Sequence, residues 1–213
     1  MAPLLSAYAL VSLEELSTYL SLGGNSEDAE VERIANRVSS EIESFLGRQI
    51  VSRGTLTEYH SPGCDTYEIV TLERPIIAVS AVHEDVGVPR TYGAGSALTA
   101  DSDFHVVKPR GVIRRIQGLG LPLRWMGGLR TVRVQYTAGY ASRDVVPDRI
   151  KSVALAYAGL IWREHTRRDW GISGAADSGG NYTRFAAPQL TLEMKSALAD
   201  ERRMWTPTGE RDS

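Results

Sequence analysis

The sequence has few of the residues that build covalent or catalytic frameworks. Cys64 is its one cysteine, so no intrachain disulfide can form, and a thiolate metal site would need His and carboxylates for its other ligands. A reducing compartment is the simple reading. Histidine is nearly as scarce: His60, His83, His105 and His165 are scattered, and only His60 falls close to Cys64, within "HSPGCD", which reads as a turn. No metal site is expected. The chain also lacks a glycine-rich phosphate loop with its lysine, a His-Glu-x-x-His pair and a Gly-x-Ser-x-Gly elbow; "YGAGSAL" has its glycines and serine in the wrong order. The reading is of a protein that is not an enzyme, with no catalytic residue and no cofactor.

Long apolar runs are missing too. The longest, Val153 to Trp162, is ten residues, against the ~20 that a membrane-spanning helix needs. In "MAPLLSAYALVS" no cation precedes the apolar stretch and the first basic residue is Arg33, so a secretory signal is not expected. The prediction is a soluble chain with no membrane partner.

What is present is unevenly distributed charge. Net charge is only −2, yet residues 1–104 hold 16 acidic and 6 basic residues while residues 105–213 hold 10 and 18. Either head-to-tail copies set an acidic face against a basic one, or the two halves interleave within one fold.

Periodicity changes twice along the chain. Ser12 with Glu15 forms a capping-box pattern ahead of Leu13, Leu16 and Leu20, and Gly23-Gly24 ends that helix. Ser26 is the expected cap of a longer helix carrying Val31, Ile34, Ala35, Val38, Ile42, Phe45 and Leu46, with Gly47 as its C-cap. From Arg48 the period becomes two. Strands are expected over 55–60, 67–72, 76–83, 103–107, 112–116 and 129–137, with a hairpin turn at Lys108–Gly111. After Gly139 a helix begins at Pro147 and runs to about Asp169; "WGISGAADSGGNYTRFAAP" reads as a flexible connection, and a last helix follows Pro188 to about Met204-Trp205.

Two segments carry binding potential. Lys108, Arg110, Arg114, Arg115, Arg124, Arg130 and Arg133 have no acidic residue among them, so Arg110, Arg114, Arg115, Arg130 and Arg133 are candidates for phosphate or acidic-neighbour contacts, and a nucleic-acid-binding module is the alternative function. Period-two alternation sends Arg114 and Arg115 to opposite faces, so the set need not form one patch. On the Pro147 helix, Ile150, Val153, Ala154, Tyr157 and Ile161 make a core stripe, while Leu155, Ala158, Gly159 and Trp162 make the other side apolar. Leu155, Gly159 and Trp162 are therefore candidates for a subunit interface, unless the chain covers them itself.

Three stretches together resemble the head-to-tail adaptor (head-completion or connector) proteins of tailed bacteriophages and gene transfer particles. They are "VSLEELSTYLSLGGNSEDAEVERIANRVSSEIESFLGRQI", "TLERPIIAVSAVHED" and "VRVQYTAGYASRDVVPDRIKSVALAYAGLIW", lying in family order between residues 11 and 162. The resemblance implies an α+β fold: a helical bundle, made of the N-terminal helix pair, the long penultimate helix and a C-terminal helix, with a small antiparallel β module inserted. The corresponding segments are 1–47 (N-terminal helices), 48–139 (β module), 140–170 (long helix), 171–187 (flexible linker) and 188–213 (C-terminal helix and tail).

It further implies a structural virion protein at the neck, made in the host cytoplasm. The expected assembly is a homo-oligomeric ring, dodecameric in the family, under the portal protein, extending the channel for packaged DNA and docking a tail-side stopper or tail-completion protein. C-terminal segments of the family dock on the portal, which makes Leu190, Met194, Leu198, Arg202, Arg203, Met204 and Trp205 the candidate portal contacts.

Overall fold

A computed structural model of the chain describes residues 5–23, 27–87, 89–167, 188–202 and 209–211. It divides into two compact units, Met1–Gly47 with Ser142–Arg202, and Arg48–Ala141 with Arg203–Ser213.

The first unit is helical. Helix α1 spans Leu13–Tyr19 and starts at the expected capping box, with the Glu15 N–H donating to Ser12 Oγ (3.0 Å) and the Ser12 N–H to Glu15 Oε2 (2.7 Å). Helix α2, Asp28–Leu46, begins after Glu27 with no side-chain cap and ends on Gly47 in the left-handed conformation; the expected cap, Ser26, lies outside the described residues. Helix α3, Asp148–Arg167, starts just after Pro147. Helix α4 is only Leu192–Ala197, followed by a short 3-10 turn at Ala199–Glu201. Leu16 of α1, the Val31–Ile34–Val38–Ile42 stripe of α2, the Ile150–Ala154–Tyr157–Ile161 stripe of α3, and Leu198 are buried together in this unit. Polar links tie the helices: Lys151 Nζ donates to Glu15 Oε1 at 2.9 Å, and the Tyr157 hydroxyl donates to the Glu41 carboxylate. Burial, and then the hydrogen bond to Glu41, raise the Tyr157 hydroxyl pKa well above the ordinary phenol range.

The second unit is built from β1 (Thr55–His60), β2 (Glu68–Val70), β3 (Ile76–Glu84), β4 (Ala97–Leu98), β5 (Phe104–Val107), β6 (Val112–Gln117), β7 (Leu121–Pro122), β8 (Val132–Ala138) and β9 (Gly209–Arg211). A five-stranded antiparallel sheet runs β4-β3-β8-β1-β9, and a second runs β2-β6-β5 with β7 paired to β6. β8 alternates fully, every second residue from Val132 to Ala138 being buried. Val132, Val134 and Tyr136 from the first sheet and Ile69, Phe104 and Ile113 from the second meet in one core with Trp125.

This architecture overturns the expected bundle with a small β module. Two antiparallel sheets make the molecule β-rich, and among the described residues nine strands accompany four α-helices. Two physical reasons account for the error. The C-terminal helix expected to reach Met204-Trp205 stops after six residues. And β4, β7 and β9 are two or three residues long, too short for a period of two to show.

A glycine fixes the turn "TAGY" that links β8 to the segment leading into α3. Gly139 has φ +94, and a Cβ there would lie 2.6 Å from the Ile50 carbonyl oxygen. The close approach is used on both sides: the Tyr140 N–H donates to Ile50 O (2.7 Å) and the Ser52 N–H to Tyr140 O (2.9 Å).

Candidate functional site

The basic segment from Lys108 to Arg133 lies in the strand unit, and pairing divides it. Arg114 on β6 stands opposite Glu68 in the β2 register and pairs with it at 2.7 Å, in the open. Arg115, on the other face of the same strand, is nearly enclosed: its Nε meets Glu84 Oε2 at 3.1 Å and its Nη1 donates to the carbonyls of Asp103 (2.6 Å) and Ile116 (2.9 Å). Glu84 also accepts from the Met126 N–H at 2.7 Å. Arg124 pairs with Asp65 at 2.7 Å and takes a place over the Tyr67 ring. Acids of the first half of the sequence thus neutralise bases of the second half within one unit, as the interleaving reading requires. Lys108 and Arg110 are exposed in a 3-10 turn that closes on Gly111.

Arg130 and Arg133 form a separate group with a residue that no sequence signal singled out, Arg90. Arg133 on β8 places its guanidinium 4.8 Å from the centre of the Tyr92 ring, and Arg130 places its own 5.3 Å from the centre of the Tyr59 ring. The two rings lie against each other, 5.5 Å between centroids. Tyr92 belongs to the loop after β3. Asp85 organises that loop by accepting from the N–H groups of Gly87 (2.8 Å), Thr91 (3.0 Å) and Tyr92 (2.9 Å). Those bonds, Tyr92's first, hold the Asp85 carboxyl below its ordinary value. The Tyr92 hydroxyl donates to the Arg130 carbonyl at 2.6 Å, closing the loop onto the β8 approach. Tyr59, Arg90, Tyr92, Leu129 and Arg130 line a cavity of about 340 Å³.

The other candidates are placed as follows. On α3, Trp162 is buried and stacks on His165, while Gly159 faces α1 so closely that a Cβ would lie 3.2 Å from the Tyr19 ring. Leu155 is half-buried. The chain therefore covers Trp162 and much of Gly159 itself. In the C-terminal segment, Leu190 and Leu198 are buried in the helical unit, and Met194 and Arg202 keep surface exposure, the latter over the Phe45 ring at 5.2 Å. Arg203, Met204, Trp205 and the 171–187 connection lie outside the described residues. His60 is fully buried beside Glu58 (3.4 Å), and Cys64 is exposed. Among the described residues no group of His, Cys, Asp and Glu could hold a metal, and no helix is long and apolar enough to cross a membrane.

A family model described as head completion protein matches residues 9–162. The chain belongs to the head completion protein family. That match takes in α1, α2, α3 as far as Trp162, and all strands except β9. Three solved structures share the fold, each at a TM-score of 0.52: a chain in the neck of an empty gene transfer agent particle computed with C6 symmetry (17% identity, covering 95% of this chain and 94% of that one), a chain in the virion of the native particle (18%, 92% and 91%), and a chain in the native neck computed with C12 symmetry (16%, 95% and 93%). No curated protein matches the chain. The resemblance carried by the three sequence stretches is thereby confirmed at the level of family.

Proposed function

We propose that this head completion protein is a structural component of the neck of a tailed phage or gene transfer particle, assembled as a ring beneath the portal. The ring extends the channel for packaged DNA and offers its far side to a tail-side stopper or tail-completion protein. One observation carries the reading: the family match runs through both units, from residue 9 to residue 162. The likeness in fold to chains from gene transfer agent necks, one computed with C12 symmetry, supports a dodecameric ring as the assembly. Function here is docking and not turnover.

Within that reading, the C-terminal portal contact is made by Leu190, Met194, Leu198, Arg202, Arg203, Met204 and Trp205, of which Met194 and Arg202 keep surface exposure in the subunit while Leu190 and Leu198 are buried. Leu155, half-buried on α3, is the helix residue left for a neighbouring copy. The test is the mass of the purified full chain alone and with its portal protein, together with images of the particle neck. Rings on the portal are expected. A chain that stays monomeric and never binds portal would overturn the assignment.

A further inference from the structure

We infer that the β6–β7 hairpin is an interaction surface between copies of this chain: Leu119 at its tip enters the cavity on the flank of a second copy's hairpin. This contact rests on the ring proposed above, since a head-to-tail ring needs two different surfaces of one subunit that fit each other. The sequence marks the hairpin by a lack of charge. Between Arg115 and Arg124 run the eight residues "IQGLGLPL", none of them ionisable. β6 and β7 pair Ile116 with Pro122 and Gln117 with Leu121, which puts Leu119 at the turn.

Leucine is an expensive choice there. Leu119 and Gly120 both have a φ of 74, two successive left-handed residues that Asn-Gly would supply with less strain. Leu119 gains nothing in its own subunit to offset the strain, because its side chain is fully exposed. Leu121 and Pro122, two and three residues on, are exposed as well. A single exposed leucine is ordinary. A strained one at an uncharged hairpin tip, beside a cavity, is a surface shaped for a partner.

The cavity supplies the complementary half. It measures about 680 Å³ and is walled by Tyr67, Ile116, Gly120 and Pro122, with Glu68 and Arg114 at its side. Its charged groups are already paired: Arg114 meets Glu68 at 2.7 Å and Arg115 meets Glu84 at 3.1 Å. A wall of apolar groups with a self-neutralised rim favours an uncharged apolar occupant over an anion or a charged peptide end. The hairpin tip is such an occupant, and every copy carries both tip and cavity. A contact from the tip of one copy to the flank of the next repeats from subunit to subunit, and closes where the rotation allows.

The experiment uses the full chain, alone and with its portal protein, carrying a photo-cross-linking benzoylphenylalanine in place of Leu119. Irradiation is expected to give dimers and a ladder of larger species, with adducts that mass spectrometry maps to Tyr67–Glu68 or Ile116–Pro122 of a second copy. Assembly without the cross-linker is followed by sedimentation in the same two preparations. There Leu119→Asn, which suits the left-handed backbone, and Tyr67→Ala, which removes a cavity wall, each weaken association between copies about tenfold or more. Leu129→Asn, at an exposed leucine outside the hairpin, changes it less than about twofold. Circular dichroism confirms that each variant is folded. Mixing Leu119→Asn with Tyr67→Ala leaves one intact tip-to-cavity contact, so pairs form and larger species do not. Adducts that map to the portal, or an equal loss in Leu129→Asn, overturn the second copy as the occupant. Rings on the portal without adducts between copies overturn the hairpin contact and leave the ring standing, whereas a chain that never assembles, alone or on the portal, overturns both.

Discussion

The Tyr136 hydroxyl on β8 donates to the Glu58 carboxylate on the neighbouring strand β1, with both side chains fully buried. The same hydroxyl accepts from the Glu73 N–H (3.0 Å), and Glu58 also accepts from the Leu72 N–H (2.9 Å), so the pair fastens the 72–73 turn to the sheet. Burial, reinforced by Glu58, raises the Tyr136 hydroxyl pKa far above that of a free phenol, which keeps it a donor. Tyr136→Phe removes two buried hydrogen bonds, to the Glu58 carboxylate and from the Glu73 N–H, and should cost about 1–3 kcal/mol in urea unfolding. A loss within error of zero would show that the network is idle.

Arg115 and Arg114 are adjacent in sequence and differ in burial, which predicts opposite outcomes. Glu84→Ala leaves the nearly enclosed Arg115 guanidinium, at 11% side-chain exposure, with only Asp103 at 3.9 Å and two backbone carbonyls, and should lower stability by about 1.5–3 kcal/mol. Glu68→Ala breaks the exposed pair with Arg114 and should cost less than about 1 kcal/mol. Equilibrium denaturation of the two variants side by side checks the contrast.

Gly139 tolerates no side chain. Gly139→Ala places a Cβ against the Ile50 carbonyl and asks alanine to hold a φ of +94. The backbone conformation alone should cost roughly 1–3 kcal/mol, before the clash is counted. A wild-type melting temperature for this variant would mean that the turn can be rebuilt.

Leu119 predicts a gain. It is fully exposed, between Gly118 and Gly120, with a left-handed φ of 74. Leu119→Gly gives up no buried surface and relieves the backbone, so the isolated chain should become more stable by about 0.5–1 kcal/mol. Thermal unfolding of the monomer reads the sign directly.

The α1 cap predicts a pH dependence. Burial pushes the Glu15 carboxyl up, but the Ser12 N–H, and then Lys151, outweigh it and hold the folded pKa below the ordinary value. A depressed carboxyl contributes stability that is present above its unfolded pKa, near 4.3, and lost as pH falls through the lower folded value. Glu15→Gln should therefore narrow its stability deficit relative to wild type as pH drops below about 4, measured by urea unfolding at several pH values. A deficit that stays constant with pH would rule out the ionised cap.

Local chemistry was legible where the signal sits in neighbouring residues. The Ser12–Glu15 box, the Gly47 stop and the Thr55–His60 strand appear where spacing places them, because caps and alternation are set within a few residues. Long-range partners left no such trace. Nothing in the sequence ties Arg115 to Glu84 or Arg114 to Glu68, and the basic run looked unopposed until the sheet register brought first-half acids beside it. Arg90 was missed for a related reason: it lies in an aperiodic loop, and only the fold brings it to the cavity shared with Tyr59 and Arg130. The balance of helix and sheet was misjudged where apolar spacing outlived the helix, as after Ala197.

The strand order β4-β3-β8-β1-β9 gives the ribosome a timing problem. β1 and β3 emerge early, yet the strand that bridges them is more than 45 residues further along than β3's last residue, at Val132–Ala138. Until it arrives, both are open edges, and the helical unit likewise waits for α3 to close over α1 and α2. Such non-local closure makes folding slow, in the range of milliseconds to seconds. A nascent chain interrupted before residue 138 has no sheet centre, and is a natural substrate for chaperones and proteases.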